Sequence, residues 1–254
     1  MFGAASVHGV LICEHFERKS TAGAIWPAAD VSIEFWKRSS VLSDTTATGD
    51  FSDTAALEHG VDFAGKSVLE LGAGTGVVGL WLAMQGAKVL MTDQAIALPL
   101  LRKNLYTNLE MCASRGQDLC VSVAAFEWGS IPVPSPPWST AKHSVATAEA
   151  ADAKSSSAEP SSPPQPWDFI VCSDLLYTPA EVHELLLASL RELTSERTVV
   201  FVSHGHRLKV CAFVLKSVLT VMMQRELTFF ERLKEFGLDS EQVRVRIDRF
   251  SHLA

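Results

Sequence analysis

Val68-Leu-Glu-Leu-Gly72-Ala-Gly74-Thr-Gly76 is the stretch on which the fold turns. Residues 67–71 form an apolar run too short for a helix and closed by glycine, which reads as a buried strand. Three alternating glycines follow. Glycine allows a tight turn and lets backbone approach a ligand with no Cβ in the way. Residues 76–85 then read as a helix, with Val77, Leu80, Trp81 and Met84 on one face.

Outward from this unit the chain keeps alternating. Residues 88–92 read as a second strand, and 97–109 as a second helix with Leu98, Leu101, Leu105 and Leu109 in register. Residues 119–124, 168–173 and 198–203 supply three further strands. Thr178-Pro179-Ala180-Glu181 has the form of a capping box with proline at the first helical position. Repeated β-α-β alternation predicts an α/β fold: a doubly wound, mostly parallel Rossmann-like sheet with helices on both faces. Ligands of such sheets bind beyond the carboxyl ends of the strands.

Two stretches interrupt the pattern. Residues 39–56 are rich in Ser, Thr and Asp. Residues 132–166 are biased to Ser, Ala and Pro and hold prolines 132, 134, 136, 137, 160, 163, 164 and 166 of the chain's 11. Neither buries enough apolar surface to offset its ordering entropy, so both read as insertions into a single domain over 1–254. Residues 208–223 read as an additional buried helix, 229–236 as a further helix, and 243–247 as a short last strand.

With 47% hydrophobic residues the chain is expected to build a sizeable core, and a net charge of −7 disfavours phosphate backbones and hence nucleic acid as the main partner. The five cysteines (13, 112, 120, 172 and 211) are odd in number and lack a CxxC pair, which suits a reducing compartment better than a disulfide framework or a zinc site. The N-terminal apolar stretch is broken by His8 and stopped by Glu14 and His15, so it does not read as a secretory signal. The apolar run at 208–223 carries Lys209 and Lys216 and is too short to span a bilayer. These features predict no membrane association and a cytoplasmic, possibly nuclear, location.

Gly74-x-Gly76-x-x-Gly79 also matches the dinucleotide fingerprint, which keeps a nicotinamide-dependent oxidoreductase in view. Against it, Gly72 already closes the strand and Glu70 precedes it. A carboxylate there suits a cationic, phosphate-free ligand. Asp93, at the end of the second strand, is placed to accept hydrogen bonds from ribose hydroxyls. His204-Gly205-His206 lacks a third ligand and reads as a polar turn rather than a metal site.

These residues resemble the seven-stranded S-adenosylmethionine-dependent methyltransferases. Further matches recur in order: Ile25-Trp26-Pro27-Ala28-Ala29, then Asn104 and Asn108, then Phe126-Glu127-Trp128-Gly129, then Trp167-Asp168-Phe169-Ile170-Val171-Cys172-Ser173-Asp174-Leu175-Leu176-Tyr177. Together they are similar to the methyltransferase-16 group, whose characterised members are mostly protein-lysine methyltransferases.

The resemblance implies S-adenosylmethionine as cofactor. It implies that backbone at Gly72, Ala73 and Gly74 approaches the methionine part, Asp93 holds the ribose, Trp128 lies against the adenine, and Trp26 and Ser173 line the same pocket. The Asp174-x-x-Tyr177 motif would face the methyl group and a lysine-bearing protein substrate. A lysine amine with pKa about 10.4 costs about 4–5 kcal/mol to deprotonate at neutral pH. Asp174 would orient that amine, and the Tyr177 ring would add cation–π contact. A protein histidine or small amine as acceptor, and a non-catalytic interaction domain on the same fold, are the alternatives to a protein-lysine substrate.

Overall fold

The computed structural model describes residues 2–15, 22–42, 61–132, 134, 166–204, 228–233 and 235. An antiparallel hairpin of β1 (Phe2–Val7) and β2 (Val10–His15) leads to α1 (Pro27–Leu42). β3 (Ser67–Leu71), α2 (Val77–Met84), β4 (Lys88–Asp93), α3 (Leu98–Ala113) and β5 (Cys120–Ala125) follow. Then come β6 (Phe169–Ser173), α4 (Ala180–Leu193) and β7 (Val199–Ser203). Residues 228–233 are helical and overlap the stretch at 229–236 expected to be a further helix.

The five strands β3 to β7 form one sheet in the order β5-β4-β3-β6-β7, and every described pairing in it is parallel. The chain winds outward from β3 to β5, then returns to the opposite side of β3 and winds out to β7. The reversal lies between β3 and β6. Loops leaving the carboxyl ends of these two strands diverge to opposite faces, which opens a crevice there.

Strand parity divides the core in two. Val68, Val89, Met91 and Val171 face a cluster containing Ile33 and Trp36 of α1, Leu80 and Trp81 of α2, and Leu101 and Leu105 of α3. Leu69, Leu71, Leu90, Ile170 and Cys172 face the other way, against Leu186, Leu187 and Leu190 of α4 and Phe229. The first face carries a run of aromatic contacts. Trp36 stacks on Trp81 with ring centroids 5.9 Å apart and meets Phe63 and Phe201 edge-on at 5.2 and 5.4 Å.

The expected alternation of strands and helices is present, with ends moved by a few residues. The capping box at Thr178 is not formed. α4 begins at Ala180 with Pro179 in the cap position, and the Thr178 hydroxyl donates instead to the Leu175 carbonyl at 3.1 Å. Pro179 has ψ of 157°, so its ring closes the loop and its carbonyl, not a side chain, receives the first helical N–H groups. α1 continues to Leu42, so residues 39–42 belong to a helix rather than to an insertion. Residues 43–60, and the stretches expected to form a helix at 208–223 and a strand at 243–247, lie outside the described residues.

The hairpin has no counterpart in the sequence reading. His8 and Gly9 both have positive φ, 51° and 85°, which gives a two-residue connection the twist that antiparallel strands need. The His8 ring then docks the turn onto α1: Nδ1 lies 2.7 Å from Lys37 Nζ and Nε2 3.0 Å from Asp30. An ammonium only donates, so Nδ1 accepts and Nε2 donates to the carboxylate.

The other edge of the hairpin is closed by side chains. Asn104 and Asn108 lie one turn apart on α3, both fully buried. Their carbonyl oxygens accept from the backbone N–H groups of Cys13 (2.8 Å) and Leu11 (2.9 Å), while their amides donate to the carbonyls of the same two residues. Two amide side chains thus imitate a third strand. Asn104 Nδ2 also donates to the Thr75 carbonyl at 2.9 Å, tying in the glycine turn. Asn104→Ala strips partners from three backbone groups. It is expected to destabilise the protein by at least about 2 kcal/mol in urea unfolding, and a loss below about 0.5 kcal/mol would contradict this coupling.

Candidate active site at the β3–β6 switch point

The turn after β3 is held in left-handed conformation at Gly72, Gly74 and Gly76, with φ of 63°, 55° and 83°. A Cβ on Gly72 would lie 2.6 Å from Leu175 Cδ2 and 3.4 Å from Trp128 Cζ2. The loops that follow β3, β5 and β6 therefore converge on Gly72. A Cβ on Gly74 would meet the Ala22 carbonyl at 3.3 Å, so the segment ahead of Trp26 lies over the turn. Glu14 steadies that segment by accepting the Ile25 N–H at 2.9 Å. The turn is pinned from beneath as well: Ala73 N–H donates to the Thr92 carbonyl at 2.9 Å, and Asp93 Oδ2 accepts the Gly74 N–H at 2.7 Å.

Asp93 Oδ1 accepts a second backbone N–H, that of Gln94, at 2.7 Å. Each carboxylate oxygen has two lone pairs, so two acceptor positions stay available for hydroxyl donors. Partial burial raises the Asp93 pKa, and the two amide hydrogen bonds offset part of that rise.

Glu70 is arranged differently from the sequence expectation of an anionic group facing a cationic ligand. Its side chain is buried between sheet and helix, and Oε2 accepts the Gly79 N–H in the first turn of α2 at 3.0 Å. Desolvation pushes its pKa from 4.5 to about 8; the Gly79 hydrogen bond lowers it, and Asp93 adds a smaller upward push. At neutral pH Glu70 is therefore largely a neutral acid supporting the turn from below. The approach requires glycine at 79, where a Cβ would stand 2.4 Å from the Glu70 oxygen and 2.6 Å from Met91 Cγ. Cys172, buried on the adjacent strand, is pushed up to about 12 by burial first and by Glu70 second, so it is an inert thiol. Cys120 is exposed on β5, at the edge of the sheet.

Across the crevice, Asp174 is the first residue past β6. It is buried, adopts φ of 57°, and its N–H donates to the Ser203 carbonyl at 2.8 Å. A left-handed non-glycine residue is costly, and aspartate is among the few types that tolerate it. Ser173 joins a series of hydroxyls: its Oγ is 3.3 Å from Ser203 Oγ, which is 2.7 Å from Ser32 Oγ on α1. Tyr177 is half-buried in the loop before α4, and Trp26 half-buried just before α1. His204, the first residue past β7, brings Nδ1 to 3.6 Å from Asp174 Oδ1.

A family model described as lysine methyltransferase, of the methyltransferase-16 type, matches residues 7–135, half of the chain. The chain belongs to that family. Over 197 residues it is 29% identical to protein N-lysine methyltransferase METTL21A of Danio rerio, covering 77% of this chain and 66% of that protein. It is 28% identical over 150 residues to EEF1A lysine methyltransferase 3 of Xenopus tropicalis, covering 59% and 51%. A stretch of 113 residues is 32% identical to protein-lysine N-methyltransferase EFM6 of Saccharomyces cerevisiae, 41% of each chain. The chain thus spans 66% and 51% of the lengths of the first two relatives.

Within this family member, the sequence-derived candidates Gly72, Ala73, Gly74 and Asp93 share one turn, and Trp128 reaches it from the loop after β5. Ser173 and Asp174 lie at the end of the adjacent strand. Glu70 stands apart from the open crevice. His204 was read as a turn residue; the pairing of β6 with β7, which brings it beside Asp174, is a property of the sheet order and not of any local motif.

The buried acid makes stability depend on pH. Between about 4.5 and about 8 the native state keeps a proton on Glu70 that the unfolded chain has lost. Stability therefore falls as pH rises through that window and levels off above it. Calorimetric melting at pH 5 to 9 is expected to show this slope in the wild type and a much flatter profile in Glu70→Gln; equal slopes would contradict the assignment.

Proposed function

We propose that this family member transfers a methyl group from S-adenosylmethionine to the side-chain amine of a lysine in a protein substrate. The observation that carries the reading is the convergence of the glycine turn and Asp93 on one side of the β3–β6 crevice with Asp174 on the other. The relatives' names point to the same chemistry: they are protein-lysine methyltransferases, one of them named for EEF1A.

The residues present fit such a cofactor. Gly72, Ala73 and Gly74 form a tight turn with no side chain larger than a methyl group, and Asp93 keeps two lone pairs for ribose hydroxyls. Trp128, against Gly72, would supply an aromatic wall for the adenine. When bound, the cofactor supplies an electrophilic methyl group on a positively charged sulfur.

The chain's own contribution is placement. An incoming lysine has to release its proton to solvent, at a cost of about 4–5 kcal/mol at neutral pH, before its lone pair is available. Asp174 accepts a hydrogen bond from the amine and sets its direction, while the Tyr177 ring favours the positive charge that builds on nitrogen as the methyl group arrives. Holding the amine in line replaces a bimolecular encounter with a fixed geometry, which is where most of the acceleration arises.

Calorimetry with S-adenosylhomocysteine is expected to show at least about tenfold weaker binding for Asp93→Ala, the loss of hydrogen bonds to a charged acceptor. Asp174→Ala is expected to keep that affinity within about threefold while losing methyl transfer. The decisive assay follows tritium from labelled S-adenosylmethionine into proteins of a cell extract, with methyl-lysine mapped by mass spectrometry. Label appearing equally with wild type and Asp174→Ala would remove Asp174 from the mechanism; label on another residue type would overturn lysine as acceptor.

A further inference from the structure

We infer that His204 is a positioning residue for Asp174, fixing the plane in which that carboxylate receives the substrate amine. The inference rests on the methyl-transfer reading above and names a residue that the Asp174-x-x-Tyr177 motif does not contain.

An aspartate carboxylate turns about two side-chain torsions, so the direction in which it receives a hydrogen bond varies unless a second contact fixes its plane. In-line transfer is sensitive to that direction, and a group that orients a nucleophile has to be oriented in turn. Here the orienting contact comes from the neighbouring strand. Ser173 pairs with Ser203 in parallel register, so the next residues, Asp174 and His204, leave the sheet side by side. The Asp174 N–H bond to the Ser203 carbonyl keeps the two strand ends together one residue further.

The hydroxyls of Ser173, Ser203 and Ser32 then fasten both ends to α1, where Ser32 Oγ also lies 3.1 Å from the Ala28 carbonyl. On this fixed base His204 Nδ1 stands 3.6 Å from Asp174 Oδ1, with side chains 11% and 4% exposed. A small closing movement makes this a direct hydrogen bond, and catalytic contacts commonly tighten when substrate binds. With Oδ1 engaged by the imidazole, the plane of the carboxylate is fixed and an amine meets it from a constant direction.

The two ring nitrogens separate this role from mere packing. His204→Asn carries an amide near the position of Nδ1, whereas His204→Gln carries it near Nε2 and keeps more of the volume. The full chain is assayed by tritium transfer from labelled S-adenosylmethionine into extract proteins, with S-adenosylhomocysteine affinity measured in parallel. His204→Ala and His204→Gln are expected to lose about tenfold or more in rate with cofactor affinity unchanged, and His204→Asn to recover to within about threefold of wild type. In an Asp174→Asn background, His204→Ala is expected to cause no further loss, because it acts through Asp174.

Wild-type rates in both His204→Ala and His204→Gln overturn the inference, as do losses that multiply in the double variant. A fall in cofactor affinity matching the fall in rate also overturns it, in favour of a structural role. Should His204→Ala fail to fold, the contrast between asparagine and glutamine decides. If wild type binds S-adenosylhomocysteine yet labels no protein, the methyl-transfer reading itself falls and takes this role with it. A wild type that labels protein as fast as its His204 variants refutes only the role of His204.

Discussion

The amide of Asn104 is the contact on which the arrangement around the crevice depends. One buried side chain closes the exposed edge of β2, through both the N–H and the carbonyl of Cys13, and reaches the Thr75 carbonyl in the glycine turn. Asn108 repeats the edge pairing one helical turn later. An unpaired strand edge inside a protein is costly, since each buried backbone group without a partner loses its hydration. The two asparagines remove that cost and in doing so set the position of the hairpin, and with it the segment that passes over Gly74. The local geometry of the turn is therefore tied to a helix and a hairpin far from it in sequence.

The sheet order supplies the second constraint. Because the chain reverses between β3 and β6, the turn after β3 and the loop after β6 leave the sheet toward opposite faces, and the groups they carry meet across a gap rather than over a helix. Alternation along the strands then distributes the core. Even-numbered positions of β3 face α2 and the aromatic group around Trp36, and odd-numbered ones face α4. Glu70 belongs to the first set, which is why its carboxyl is enclosed under α2.

Three acids lie near the carboxyl ends of these strands, and their surroundings give them separate parts. Glu70 is kept largely protonated at neutral pH by burial and serves as a neutral hydrogen-bonding support. Asp93 accepts two backbone amides and retains acceptor capacity. Asp174 is held in a left-handed conformation by its bond to Ser203 and stands beside His204. Neutralising Glu70 limits like-charge repulsion on Asp93, so a site rich in carboxyl groups is compatible with a compact fold.

Sequence alone determined the elements of the sheet, because buried strands, amphipathic helices and glycine turns each have a local signature. The run from Val68 to Gly76, the leucines of α3 and the apolar strand ahead of Ser173 were legible for that reason, and so was the place of Asp93 at the end of the second strand; its hydrogen bond to Gly74 was not. Tertiary structure decided what local pattern does not encode. The His8–Gly9 hairpin is secured by α1 and α3 rather than by its own composition, and α4 starts after Pro179 while the Thr178 hydroxyl donates to the Leu175 carbonyl. Glu70 turned inward because strand parity aims it at Gly79, and His204 came to Asp174 because β7 pairs with β6. Each of these is a contact between residues whose nearness is fixed by sheet order and packing, so it exists only once the chain has folded.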